Sequence, residues 1–298
     1  MSKEVYTITY GEQAENHVGM EKIGELSEKG FDLSDLKKAQ EKFNKIAKTE
    51  LINLTHFLKN KDTGKESNIE AAHLLIIRNG VDGILKSINK THNDLYKEHQ
   101  NIEYDNKAFM YGRVVNKIAR HNVCFDDKGQ TPDIKNGKGT IIAFKKAKLT
   151  NHIRKELPNY LGEDAECLKA EGNHYYDISK CGIGFHGDGE RLKVIGVRIG
   201  NVNLPLHYQW FYKSKPVGER IILDLKPGDM YIMSEKTTGN DWKKKNIFTL
   251  RHATGPPRFI TIKPKPLSKT GSKGCPLVAE KEIKKSNKIK AGKLKLKP

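Results

Sequence analysis

The strongest constraint on this chain is a succession of short strand-like runs between residues 172 and 262, separated by glycine and proline turns. Gly182-Ile183-Gly184-Phe185 and Lys193-Val194-Ile195-Gly196-Val197-Arg198-Ile199-Gly200 show the period-two alternation of strands. Gln209-Trp210-Phe211-Tyr212, Arg220-Ile221-Ile222-Leu223-Asp224-Leu225 and Asp229-Met230-Tyr231-Ile232-Met233 continue the series, and Lys226-Pro227-Gly228-Asp229 reads as a turn. Successive antiparallel strands must each bury a face and dispose of their edges. The expected solution is a double-stranded β-helix, the jelly roll.

Chemistry-bearing residues sit inside that series. His186-Gly187-Asp188 is a His-x-Asp pair, and Leu250-Arg251-His252 supplies a distant second histidine. Two imidazoles and one carboxylate on one face of a metal leave the opposite positions open, as in non-haem iron(II) oxygenases. His186, Asp188 and His252 are therefore the candidate metal and catalytic residues, with His174 and His207 as alternative histidine ligands. His92-Asn93-Asp94 has the same spacing but lies in a polar, lysine-rich stretch without strand pattern, where a solvated helix surface is expected. His17 reads as structural.

The surrounding residues resemble those of AlkB-type iron(II)/2-oxoglutarate dioxygenases. The matching segments are Asn173-His174-Tyr175, His186-Gly187-Asp188-Gly189-Glu190, His252 and Pro257-Arg258-Phe259-Ile260-Thr261-Ile262, within about residues 105–265. The resemblance implies Fe(II), the cosubstrate 2-oxoglutarate and O2, and hydroxylation of a C–H bond with succinate as co-product. On an N-methyl group the hydroxylated product collapses to formaldehyde and free base. It further implies that Arg258 pairs with the distal carboxylate of 2-oxoglutarate, which a planar guanidinium does better than an ammonium. Asn173 and Tyr175 would hydrogen-bond the same molecule. Glu190 would orient or read substrate, or else pair with Arg191 or Lys193. The match departs from the family in the short gap between His252 and Arg258, in lacking a second strand-terminal arginine, and in having Gly189 where an acidic residue is common. Thr249-Leu250-Arg251 is an alternative match that would make Arg251 the anchor. Rival functions are hydroxylation of a protein or small molecule, and an inactive barrel that binds nucleic acid.

The 298 residues carry a formal charge of +18, which calls for an anionic partner, nucleic acid before membrane. Twelve lysines against two glutamates fall between residues 263 and 298, so residues 267–298 are expected to be a disordered basic tail, either tracking phosphates or solubilising the chain. If the segment from Tyr111 to Phe125 is helical, Arg113, Lys117 and Arg120 share one face suited to phosphate oxygens. The resemblance implies a nucleotide-recognition lid at that place. Trp242, in the basic loop 234–245, is either a base-stacking aromatic or a loop anchor. No apolar run approaches the roughly 20 residues of a membrane span. The chain opens without a signal-peptide core, and its four cysteines lack Cys-x-x-Cys spacing, so an intracellular, cytoplasmic or nuclear location is expected.

Upstream, residues 5–10 read as a strand and residues 12–24 as helix-like. Asp32 is a candidate N-cap for a helix through Ala47, with Leu36, Ala39, Phe43 and Ile46 at helical spacing. Residues 50–59 read as helix, 71–80 as a buried strand ending in an Asn-Gly turn, 81–88 and 149–157 as helix, and 140–144 as strand. The expected fold is α+β: a small α/β domain over residues 1–104, a jelly-roll dioxygenase domain over 105–266, and the tail 267–298.

Overall fold

The computed structural model describes residues 2–58 and 69–262. Among them the strands are β1 (Val5–Gly11), β2 (Gln13–Glu15), β3 (Lys22–Gly24), β4 (Lys48–Asn53), β5 (His73–Arg78), β6 (Lys107–Met110), β7 (Arg113–Asn116), β8 (His121–Asp126), β9 (Ile141–Ala143), β10 (Lys169–Tyr175), β11 (Ile183–His186), β12 (Val194–Gly200), β13 (Leu206–Tyr212), β14 (Lys215–Leu223), β15 (Met230–Met233) and β16 (Thr249–Thr254). Eight of these form one sheet, ordered β4-β5-β15-β12-β1-β10-β8-β9, and four form a second, ordered β11-β16-β13-β14. The fold is mixed α+β and strand-rich, and hydrogen bonding does not close the two sheets into one barrel.

Strand β1 lies in the interior of the large sheet, antiparallel to β10 on one side and β12 on the other. Its alternation sorts the side chains. Tyr6, Ile8 and Tyr10 join Ala170, Ile195, Val197 and Ile199 in a core that also takes Leu36, Phe43, Leu95, Ile153 and Leu157 from the helices. Across the sheet, Leu74, Ile76, Val194, Tyr231 and Met233 pack against Leu206, Tyr208, Trp210, Ile221 and Leu250 of the second sheet. Each large apolar side chain buried this way contributes about 1.5–3 kcal/mol. The Trp210 indole N–H donates to the Leu54 carbonyl at 2.9 Å, which ties the segment after β4 to the second sheet.

The first hundred residues therefore do not form a domain of their own: β1, β4 and β5 are strands of the large sheet, and β1 is bonded along both edges. The helix Leu33–Phe43 starts as expected, with Asp32 and Asp35 exchanging a capping box, but it ends at Phe43 and leaves Ile46 exposed. Residues 12–24 form the β2–β3 hairpin rather than a helix, and residues 50–58 of the expected helix 50–59 continue β4 and enter the 3-10 turn Leu54–Phe57, residue 59 lying outside the described residues. The expected basic helix at 111–125 is also a hairpin. β6 and β7 turn at Tyr111-Gly112, whose φ angles are 52° and 74°, and β8 follows, so Arg113, Lys117 and Arg120 share no helical face. The helix Lys148–Leu161 runs through Pro158. The expected tail lies outside the described residues, among which no helix is long and apolar enough to cross a membrane.

The central place of β1 makes a prediction about stability. A chain beginning at residue 105 should show no cooperative thermal transition by circular dichroism, because it lacks three strands of the sheet. In the full chain, Ile8→Ala should cost about 2–5 kcal/mol in a denaturant titration. A cooperative melt of the shortened chain would show that residues 105–262 fold independently.

Candidate metal centre

His186 closes β11 and lies directly opposite His252 on β16, so antiparallel register alone brings the two imidazoles together. Their ring centroids are 4.5 Å apart at 63°. The Asp188 Oδ1 atom is 3.7 Å from His186 Nε2 and 3.4 Å from His252 Nε2, and the three ligand atoms all lie within 4.8 Å of one another. The turn that carries Asp188 is held by the segment before β16. Asp188 N–H donates to the Thr238 carbonyl at 2.9 Å. A Cβ on Gly187 would stand 1.9 Å from the Gly239 carbonyl oxygen, so only glycine allows this approach of the turn after β11 to the end of the helical turn Glu235–Thr238.

The protonation states suit a metal. His186 Nδ1 lies 2.8 Å from the Gly184 carbonyl and 3.1 Å from that of His252. Carbonyl oxygens only accept, so Nδ1 carries the proton and Nε2 keeps its lone pair. Burial, reinforced by His252, pushes His186 down to about 3, leaving it neutral at neutral pH. Burial by itself would raise the Asp188 carboxyl, but His252, Arg191 and His186 together hold it well below the usual carboxylate range. Two imidazoles and an ionised carboxylate form a donor set that can hold a divalent metal ion, Fe(II) among them.

The triad opens into a cavity of about 980 Å³ whose other wall is the large sheet, including Thr7, Asn173, Tyr175 and Arg198. Asn173 and Tyr175 thus line the cavity, but the Asn173 side chain is already engaged. Its oxygen accepts from Arg120 Nε and Asn122 Nδ2, both at 2.6 Å, and its nitrogen donates to Glu171 at 3.0 Å. Arg120 and Glu190 also line the cavity. Arg191 donates to Glu190 at 2.7 Å and to Glu171 at 2.5 Å, while Lys193 bonds Asp164 instead. Burial pushes the Glu190 carboxyl up against the opposing pull of Arg191, with Asp188 and Glu171 adding to the rise. Trp242 stands half-buried in the cavity lining, with Arg251 and Lys243 at 5.3 and 5.6 Å from its ring.

Four expected site residues fall elsewhere. Arg258 is exposed on a helical turn, Pro257–Ile260, where it donates to the Lys180 carbonyl. Pro257 begins that turn at the first helical position, which it favours, and no strand forms there. Arg251 stacks on Phe211 at 4.1 Å, outside the cavity lining, because the residue next to His252 on a strand faces the opposite way. Lys117 is buried, donates to the Asn16 side chain at 2.6 Å, and is pushed down to about 8 mainly by burial. Arg113 is exposed on β7 and does not line the cavity. His174 pairs with Glu4 at 2.8 Å and stacks on Tyr6, and neither it nor His207 joins the metal cluster. His92 sits at a helix start with its Nδ1 2.8 Å from Asp82, consistent with a surface role.

Sequence reading missed Thr7, Glu171, Arg191 and Arg198, and the β2–β3 hairpin whose residues Glu15 to Met20 line the cavity. The available signal was Arg198 itself, a lone charge inside the apolar strand β12.

Fold and site together define a strand-rich α+β protein with a His-Asp-His cluster, able to bind a metal, that opens into a cavity. No protein-family model matches the chain. An uncharacterized protein of Acanthamoeba polyphaga mimivirus, R156, is 46% identical over 259 residues, covering 87% of this chain and 98% of that protein. The chain belongs to the same family as R156.

His186→Ala and Asp188→Ala should each weaken Fe(II) or Mn(II) binding, measured by anaerobic calorimetry, by more than the roughly 10–100-fold that outer-shell changes cost. His92→Ala should leave it unchanged. Undiminished binding in both triad variants would remove the metal assignment.

Proposed function

We propose that this protein is an iron(II)/2-oxoglutarate-dependent dioxygenase acting on a modified base in nucleic acid. The observation that supports it most is the cross-strand His186–Asp188–His252 cluster in a cavity that also holds guanidinium groups. On this reading the two facing sheets are the halves of a jelly-roll core, with β4, β5, β8 and β9 extending the larger one.

Iron held by the triad would supply oxygen activation, coupled to decarboxylation of 2-oxoglutarate and ending in hydroxylation of a substrate C–H bond. The chain's own residues prepare that chemistry. His186 is kept neutral and Asp188 ionised, so neither needs to lose a proton before binding metal. Arg191 compensates Glu171 and Glu190 beside the triad, and Glu190 remains at the cavity wall where an exocyclic amine or ring N–H of a base would meet an acceptor. Trp242 offers a stacking face, and Lys22, Lys243 and Arg120 surround the same space with positive charge. A base must leave its stack to enter such a cavity, at a cost of a few kcal/mol in a duplex, so single-stranded or mismatched substrates should react best.

The test is 2-oxoglutarate turnover against a panel of modified oligonucleotides, reading succinate together with formaldehyde or a hydroxymethyl product. Asp188→Ala should be inactive. Trp242→Ala should raise the oligonucleotide KM roughly 5- to 150-fold, the worth of about 1–3 kcal/mol of stacking, while substrate-free 2-oxoglutarate decay stays at its original rate. Coupled turnover with a peptide or small molecule, and with no oligonucleotide, would overturn the nucleic-acid assignment.

A further inference from the structure

We propose that Arg198, together with Thr7, anchors the distal carboxylate of the 2-oxo acid cosubstrate, the role that the resemblance to AlkB-type enzymes implies for Arg258. This rests on the dioxygenase reading above. Its physical basis is an uncompensated charge. Among the described residues three arginines are buried, Arg154, Arg191 and Arg198. Arg154 holds Asp127 through two hydrogen bonds, and Arg191 holds Glu171 and Glu190. Arg198, 1% exposed, forms no ion pair with any described residue. Its Nη1 donates to Thr7 Oγ1 at 2.5 Å, and its Nε, shut off from solvent, has no partner. An ion taken out of water costs several kcal/mol unless a counter-charge is supplied. Here the counter-charge has to come from a ligand, and Arg198 lines the same cavity as His186, Asp188 and His252.

The surroundings define that ligand. Thr7 faces Arg198 on β12 and Asn173 on β10 in register, so the three polar side chains form one row on the cavity face of the large sheet. The Thr7 oxygen accepts from Arg198, which leaves its own O–H free to donate to an anion. A guanidinium fork beside a hydroxyl donor suits a planar carboxylate. Burial to 1% excludes the backbone phosphates of a polymer and admits only a small anion. One that also reaches the metal must carry a second oxygen-bearing group, as a 2-oxo dicarboxylate does. Of the other cavity arginines, Arg191 is paired with Glu171 and Glu190, and Arg120 is half-exposed with its Nε committed to Asn173. Arg258 is outside the cavity.

The test compares 2-oxoglutarate with 2-oxovalerate, which keeps the metal-binding end and lacks the distal carboxylate, by calorimetry on the Mn(II)-loaded full chain. The unmodified protein should favour 2-oxoglutarate by roughly 10- to 100-fold, the worth of a charge-assisted hydrogen bond. Arg198→Met should erase that preference while retaining 2-oxovalerate binding and Mn(II) affinity. Arg198→Lys should recover part of it, and Arg258→Met should keep it. Thr7→Val, nearly isosteric, should reduce the preference several-fold and decides the matter if the Arg198 variants fail to fold. A preference that survives in Arg198→Met, that is undiminished in Thr7→Val, or that disappears in Arg258→Met overturns the assignment. If the unmodified protein binds neither 2-oxo acid, the dioxygenase reading fails first.

Discussion

The hydrogen bonding of β1 along both of its edges is the constraint on which most of this molecule depends. Six residues, Val5-Tyr6-Thr7-Ile8-Thr9-Tyr10, separate two environments by alternation alone. Tyr6, Ile8 and Tyr10 complete the apolar layer beneath the helices, whereas Thr7 and Thr9 line the cavity. Moving the strand by one residue would place three large side chains in a polar pocket and two hydroxyls in a core, so the register that stabilises the fold also specifies the site.

The cavity holds more acid than a metal needs. Asp188, Glu190 and Glu171 stand close together, and Asp188 and Glu171 add to the rise of the Glu190 carboxyl that Arg191 opposes. One buried guanidinium bonded to two of the three carboxylates keeps the third available as a ligand. Arg191 is thus an electrostatic support for a candidate metal site whose three residues it does not bond. Gly187 and Gly239 act in the same place by shape, since their close approach fixes Asp188 over the paired histidines.

Much of this was legible from residue order, and the exceptions have physical causes. Strands that bury apolar residues, such as His73–Arg78 and Val194–Gly200, carry strong patterns. The His186, Asp188 and His252 constellation was readable because strand pairing converts distant sequence into direct opposition. Gln13–Glu15 and Lys22–Gly24 are too short to show a period, and Lys48–Asn53, at the edge of the sheet, has no fully buried residue. The hairpin at Tyr111-Gly112 lacks the Asn-Gly or Asp-Gly pair that usually marks such a turn, and its basic residues imitate helical spacing. Arg258 was misplaced because a family pattern was carried across a segment where Pro256 and Pro257 favour a helical turn. That Val5–Gly11 would take an interior position in the sheet is a property of long-range pairing, which no local pattern encodes.

That topology affects how the chain is made. β1 leaves the ribosome well before its partners Lys169–Tyr175 and Val194–Gly200 are synthesised. Until then, three large apolar side chains and two rows of unpaired backbone groups stay open to any other extended chain. Non-local pairing of this kind slows folding and lengthens exposure to aggregation. A slow codon stretch placed between β1 and β10 lengthens that interval and would be expected to lower the soluble yield.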